Sequence, residues 1–233
     1  MKSGRRRVGR RFGREGDGAM FTGLIEAIGT IRAVEPKPAG GRRLLLELPE
    51  RLEIHVGDSL AVDGVCLTAV DVRGARVAVD VVLATERATT LGEAAPGRRV
   101  NVERALSAGG RFGGHFVTGH VDGIGTILAV RPEAGPGAGT EVWIEAPAAL
   151  APYLVPKGSI AVDGVSLTIQ AVEGTAFQVA LIPHTAAATT LGEKGVGAPV
   201  NLEADLIAKL VVRALDPYRR LFGRPDGAGG IGQ

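Results

Sequence analysis

Val62–Thr68 reads VDGVCLT and Val162–Thr168 reads VDGVSLT, so almost the same heptapeptide stands twice, 100 residues apart. Self-similarity of this kind marks one structural unit built more than once in a single polypeptide, which limits the fold more sharply than any composition value. TTLGE keeps the same shift between Thr89–Glu93 and Thr189–Glu193, and VNVE at Val100–Glu103 returns as VNLE at Val200–Glu203. Upstream, FTGLIEAIGTI at Phe21–Ile31 matches VTGHVDGIGTI at Val117–Ile127 with a shift of 96, so the second copy gains four residues in between. The stretch PEAGPGAGT from Pro132, against the shorter run at Pro36–Gly41, is where that insertion is expected. Surface loops rich in Pro and Gly accept extra residues cheaply.

The chain of 233 residues thus divides into two small domains of about 90 to 100 residues, each able to bury a modest core. A single cysteine excludes a disulfide framework, and no apolar run approaches the roughly 18 residues of a membrane span. Both features point to a reducing compartment, the cytoplasm, without membrane insertion. Residues 1–19 carry one Lys and six Arg against Glu15 and Asp17, a net +5, which leaves +2 − 5 = −3 for the remainder. A body of that charge argues against a nucleic-acid face. The extension is read as a disordered tail before a functional start at Met20, because no apolar segment follows its arginines as an export signal requires.

Each copy is patterned as strand. Leu44–Leu48, Ser59–Val62, Val65–Val72, Arg76–Leu83 and Val142–Glu145 are short, rich in β-branched residues and bounded by Gly, Asp or Pro. That spacing predicts an all-β protein with a small antiparallel barrel or sandwich per copy. Helical periodicity is read only from Asp205, where Leu206, Ile207, Leu210, Val211, Ala214 and Leu215 share one broad apolar face. Asp216 before Pro217 reads as a stop or a second N-cap. So apolar a helix has to bury its face on its own barrel or on copies of itself.

The copies differ where chemistry would reside: Cys66 aligns with Ser166, His120 with Leu24 and His184 with Ala84. His115 and His120 fall in GGHFVTGHVDG, Gly113–Gly123, five residues apart. On a strand an odd separation sends them to opposite faces, so no shared metal is expected. With four histidines, one cysteine and neither CxxC nor HxxxH spacing, no zinc site is predicted. Each histidine is open to acid/base work or to a structural hydrogen bond near the domain junction. Cys66 is open to a site role or to burial as a small apolar side chain, and Asp205 reads first as a helix N-cap. Ser59, Thr68, Ser166 and Thr168 are strand hydroxyls that can satisfy backbone or line a polar pocket. Neither a Walker loop nor a GxGxxG fingerprint is present, so no phosphate cofactor is indicated.

MFTGLIE from Met20, VDGVCLT, GGHFVTGHVDG, VDGVSLT, LIPHT followed by TTLG, and VNLEAD before a C-terminal helix resemble, in order, the riboflavin synthase family. The resemblance spans Met20 to about Leu215, with both copies present. It implies two tandem six-stranded Greek-key barrels, each binding one 6,7-dimethyl-8-ribityllumazine, and a homotrimer held by C-terminal helices. It further implies transfer of a four-carbon unit between two lumazines, giving riboflavin and 5-amino-6-ribitylaminouracil, without a cofactor or metal. Association with lumazine synthase is a possible further partnership. By motif position the catalytic candidates are Cys66, His120, Ser166 and Asp205. The substrate-binding candidates are Met20, Phe21, Thr22, Gly23, Ser59, Thr68 and Thr85, with Lys157, Thr168, Ile182 and Thr185 from the second copy. The layout is then a basic extension over 1–19, lumazine-binding barrels over 20–115 and 116–204, an oligomerisation helix over 205–222 and a flexible tail over 223–233. The 19 additional N-terminal residues and His184 depart from the family pattern. A non-catalytic lumazine or flavin carrier of the same fold is the alternative.

Overall fold

A computed structural model describes residues 19–221, apart from 39, 50–51, 133–134 and 136–137. The readings made for 1–18 and for 222–233 lie outside the described residues. Strands β1 (Ala27–Pro36), β2 (Arg42–Glu47), β3 (Ser59–Val62), β4 (Val65–Arg73), β5 (Arg76–Val81) and β6 (Arg99–Arg104) close into an antiparallel barrel in the order β1-β2-β5-β4-β3-β6. Strands β7 (Gly123–Pro132), β8 (Thr140–Glu145), β9 (Ser159–Val162), β10 (Val165–Glu173), β11 (Ala176–Leu181) and β12 (Pro199–Ala204) repeat that order in a second barrel. Alternation decides which side chains fill each barrel. Along β4, Val65, Leu67 and Ala69 point in, while Cys66, Thr68 and Val70 point out. Ile31, Leu44, Leu46 and Val79 are among the core of the first barrel, and Ile144, Ile160, Ile169 and Phe177 hold the equivalent core. Register shifts after Ile31 and Ile127, and again after Ala69 and Ile169, are bulges that bend the long strands around the closed sheet.

Three readings need correction. The four extra residues do not sit in one loop: the shift is 96 at β1/β7, 98 at β2/β8 and 100 at β3/β9, so half of them follow β8. There the second barrel forms a 3₁₀ turn, Ala148–Tyr153, whose Leu150 plugs the core. The strand expected to reach Leu83 ends at Val81, and α1 (Leu83–Ala88) and α2 (Pro183–Ala188) are short helices with no buried residues. Six residues without an apolar stripe leave no period to detect. The C-terminal helix α3 (Leu206–Leu221) runs through Pro217 instead of stopping before it. Proline forfeits the bond to the carbonyl four residues back, but with Arg213 and Pro217 both exposed, water can take that carbonyl.

The repeated VDGV turns are what join the barrels. Asp63 (φ 45°) and Gly64 (φ 77°), like Asp163 (φ 47°) and Gly164 (φ 78°), have the positive φ pair of a type I′ hairpin. The turns meet back to back: a Cβ on Gly64 would stand 2.6 Å from the Gly164 nitrogen. Asn101 donates from Nδ2 to the Asp163 carbonyl at 3.0 Å and accepts from the Thr190 N–H at 2.8 Å. Asn201 mirrors it, with 2.8 Å bonds to the Asp63 carbonyl and from the Thr90 N–H. Both aspartates are buried, and each has a cation: Arg98 for Asp63 at 2.9 Å and Lys194 for Asp163. Burial and the facing Asp163 charge push the Asp63 carboxyl up from its ordinary range.

Candidate functional site

Two crossing arms build the candidate site. The first, Ala19–Leu24, enters the first barrel, and the second, His115–His120, enters the other. They meet in an antiparallel bridge at Phe21 and Val117, with Phe21 N donating to the Val117 carbonyl at 2.8 Å. Phe21 is fully buried between the barrels beside Val117, Ala61 and Ala161, so its ring anchors the crossing and offers no surface in the single chain. Met20 precedes it half-buried, its carbonyl accepting from Leu106 N at 2.7 Å.

Each arm then touches the opposite barrel. The Gly119 carbonyl accepts the Cys66 N–H at 2.9 Å, and the Gly23 carbonyl accepts the Ser166 N–H at 2.8 Å. Only glycine fits at either place: φ is +76° and +77°, and a Cβ would stand 2.5 Å from Cys66 Cβ and 2.6 Å from Ser166 Cβ. Buried carboxylates fix the arms from below. Glu103 accepts from Thr22 N and Oγ1, both at 2.7 Å, and from Gly23 N at 2.9 Å. Glu203 repeats this with Thr118 N and Oγ1 at 2.7 Å and Gly119 N at 2.9 Å. Burial raises the pKa of both glutamates, and the bonds from the threonines oppose the shift.

On the outer face of the first barrel Ser59 pairs with Thr68 and Ala61 with Cys66, setting Ser59, Cys66 and Thr68 on adjoining strands. Burial pushes the Cys66 thiol up, the Ser59 hydroxyl pulls it down, and the Glu203 charge pushes it up again. A thiol so placed is held protonated. The second barrel presents the same face with Ser159 opposite Thr168 and Ala161 opposite Ser166. Further along β10, at the bulge after Ile169, Gln170 accepts from Lys157 Nζ at 2.7 Å.

The histidines are divided between the faces. His115 Nδ1 lies 2.7 Å from Ser166 Oγ, while its buried Nε2 has no hydrogen-bond partner among the described residues. Burial lowers its pKa and the Asp205 charge partly restores it, so Asp205 stands near this pair. Asp205 also caps α3, accepting from Ile207 N at 2.9 Å. His120 is exposed and directly follows Gly119 at Cys66. Outside the single bridge at Val117 this segment is not strand, so strand alternation does not govern how His115 and His120 lie. By the 96-residue shift the place of His115 is taken by Ala19 in the first arm, and that of His120 by Leu24. The two faces are therefore built alike and equipped differently.

Thr85 in α1 and Thr185 in α2 are half-buried, their carbonyls each accepting a threonine hydroxyl at 2.7 Å. Ile182 and His184 are exposed at the start of α2. An open cleft of about 510 Å³ is lined by Thr22, Leu24, Ser59, Glu103, Arg104 and Arg111, among others, and so reaches two of the predicted binding residues. Among the described residues no group of three or more His, Cys, Asp or Glu is arranged to hold a metal ion. Glu103 and Glu203 went unassigned in the sequence, although the repeated VNVE and VNLE signal them: an acid kept at one strand position of both copies.

The Lumazine binding domain family matches residues 22–105 and 118–205, one match per barrel. A riboflavin synthase of Bacillus subtilis is 43% identical over 197 residues, covering 84% of this chain and 90% of that protein. One of Mycobacterium tuberculosis is 44% identical over 204 residues, covering 84% and 98%. Among solved structures, LumP complexed with riboflavin aligns with a TM-score of 0.72 at 24% identity, covering 79% of this chain and 99% of that one. LumP complexed with 6,7-dimethyl-8-(1'-D-ribityl)lumazine gives 0.70 at the same identity.

Proposed function

Since the chain belongs to the lumazine-binding-domain family and to its riboflavin synthase members, we infer that it makes riboflavin from two molecules of 6,7-dimethyl-8-ribityllumazine. A four-carbon unit passes from one lumazine to the other, releasing 5-amino-6-ribitylaminouracil. The observation that carries this reading is the pair of equivalent faces with unequal side chains, Cys66 with His120 on one barrel and Ser166 with His115 on the other. Two like molecules with unlike fates require such a pair.

On this reading Ser59, Cys66, Thr68 and Thr85 receive one lumazine, and Lys157, Ser166, Thr168, Ile182 and Thr185 the other, with Met20, Thr22 and Gly23 shaping the crossing. The C7 methyl of lumazine is acidic because its carbanion delocalises into the pteridine ring. A positioned imidazole, His120, takes that proton, and the electron pair left on carbon attacks the second ring. Ser166, oriented by His115, and Asp205 stabilise the acceptor. Alignment of two bound rings can contribute about 7 to 11 kcal/mol. That suits a site of hydroxyls and amides with few charged groups.

We assign the working site to a subunit boundary in a homotrimer. Ile207, Leu210, Val211 and Leu215 on α3 are 47–61% exposed, an apolar stripe that helices of other copies would cover. In the proposed assembly the first barrel of one chain faces the second barrel of its neighbour, since a symmetric oligomer can bring unlike surfaces of two copies together. Residence in the cytoplasm, possible association with lumazine synthase and the absence of a cofactor belong to the same proposal. No helix of the described residues is long and apolar enough to cross a membrane. Incubation with 6,7-dimethyl-8-ribityllumazine tests the function. Riboflavin should appear at about half the amount of substrate consumed by the stoichiometry of dismutation, whereas a non-catalytic carrier returns lumazine unchanged.

A further inference from the structure

Glu203 is a carboxylate 3% exposed that no step of the chemistry above employs. Its two oxygens are committed to one short segment: Oε1 takes the Thr118 N–H and hydroxyl, and Oε2 takes the Gly119 N–H. The next bond in the chain runs from Cys66 N to the Gly119 carbonyl, and the next residue is His120. We propose that Glu203 is a positioning residue for the first-barrel site, clamping Thr118–Gly119 so that Cys66 and His120 keep a fixed relation across two barrels. The turnover readout of this proposal rests on the riboflavin synthase reading, whereas its thiol readout does not.

The surroundings favour a clamp. Lys209 on α3 lowers the pKa of Glu203 and is itself paired with Asp122 at 2.6 Å, while the Cys66 thiol feels the Glu203 charge. Glutamine would keep the volume but turn one acceptor oxygen into a donor, so it cannot serve both Thr118 and Gly119. Glu103 is the matched comparison, since its carboxylate bonds go to Thr22 and Gly23, the segment that meets Ser166, and none goes to Thr118 or Gly119.

Cys66 is the chain's one cysteine, so alkylation by iodoacetamide, followed by mass, reports this position alone. Alkylation of Glu203→Gln in the full chain should be at least about threefold faster than wild type, with Glu103→Gln near the wild-type rate. Thr118→Val removes one hydroxyl bond, keeps the charge, and should give an intermediate acceleration. In steady-state assays Glu203→Gln should lower kcat by about tenfold or more, with KM changing far less. Equal alkylation of wild type and Glu203→Gln would overturn the proposal, and so would equal acceleration by Glu103→Gln. A wild-type rate for Thr118→Val beside a fast Glu203→Gln would also overturn it, leaving a charge effect without a clamp. If wild type makes no riboflavin while the alkylation series holds, the clamp stands and the assigned reaction fails.

Discussion

Gly119→Ala should cost this protein several kcal/mol of stability, and the amount can be worked from the crossing itself. The new Cβ would meet Cys66 Cβ at 2.5 Å, Cys66 N at 2.8 Å and Cys66 Cα at 3.0 Å. Two of those three atoms are backbone of β4, paired with β3 through Ala61, and cannot swing aside. Forcing such an overlap costs about 1 to 3 kcal/mol, as for other overpacked sites. The left-handed φ of +76° adds about 1 to 2 kcal/mol for any residue with a Cβ. The sum is roughly 2 to 5 kcal/mol, and at about 2 to 4 °C per kcal/mol for a chain of this size Tm should fall on the order of 10 °C. Gly74 is the control: its φ is +60° but nothing lies within 4 Å of its would-be Cβ. Gly74→Ala should therefore show only the backbone penalty, about 1 kcal/mol, part of it offset by a less flexible unfolded chain. Thermal unfolding followed by circular dichroism measures both. Equal losses in the two variants would refute the close approach of the second arm to Cys66.

Asp80 is held at about 2 by hydrogen bonds from Arg43 and Lys37. A depressed carboxylate stabilises the fold above its unfolded pKa and loses that contribution as pH falls through the folded value, so the Tm gap between wild type and Asp80→Asn should close between about pH 4 and pH 2. Solvent around this surface trio keeps the gap under about 1 kcal/mol, and a gap unchanged across that window would refute the pairing. Leu210→Asp with Val211→Asp places two charges on the exposed stripe of α3 and should yield monomers by sedimentation; an oligomer of unchanged size would remove α3 as its cause. Cys66→Ala/His120→Ala and Ser166→Ala/Thr168→Ala, each inactive alone, should regain part of the activity when unfolded and refolded together. Mixed oligomers that form yet stay inactive would place the site within one chain.

The barrels were legible because their signals are local. Alternation in Val65–Arg73 and the Asp-Gly turns are properties of adjacent residues, and the repeat doubles each of them. Family motifs single out Cys66, His120, Ser166 and Asp205 as catalytic candidates. The short helices α1 and α2 were missed because six residues without a buried face carry no period. Asp63 and Asn101 sat in plain view within repeated motifs, yet their partners Asp163 and Asn201 lie across the barrel junction. No window along the chain spans that distance.

What the sequence determined by itself is the unit and its duplication, because strand patterning and turn chemistry act over a few residues. What tertiary structure alone decided is how the copies share their parts. Arms that start one barrel pass over the other, so Cys66 rests against Gly119, Ser166 against Gly23, and a histidine comes to each face from a different point of the second arm. Those pairings depend on hydrogen bonds and contacts between segments 53 to 143 residues apart, from Gly119 to Cys66 and from Gly23 to Ser166. Such contacts take shape only when both closed sheets dock through their Gly64 and Gly164 turns, where any side chain would hold the barrels apart.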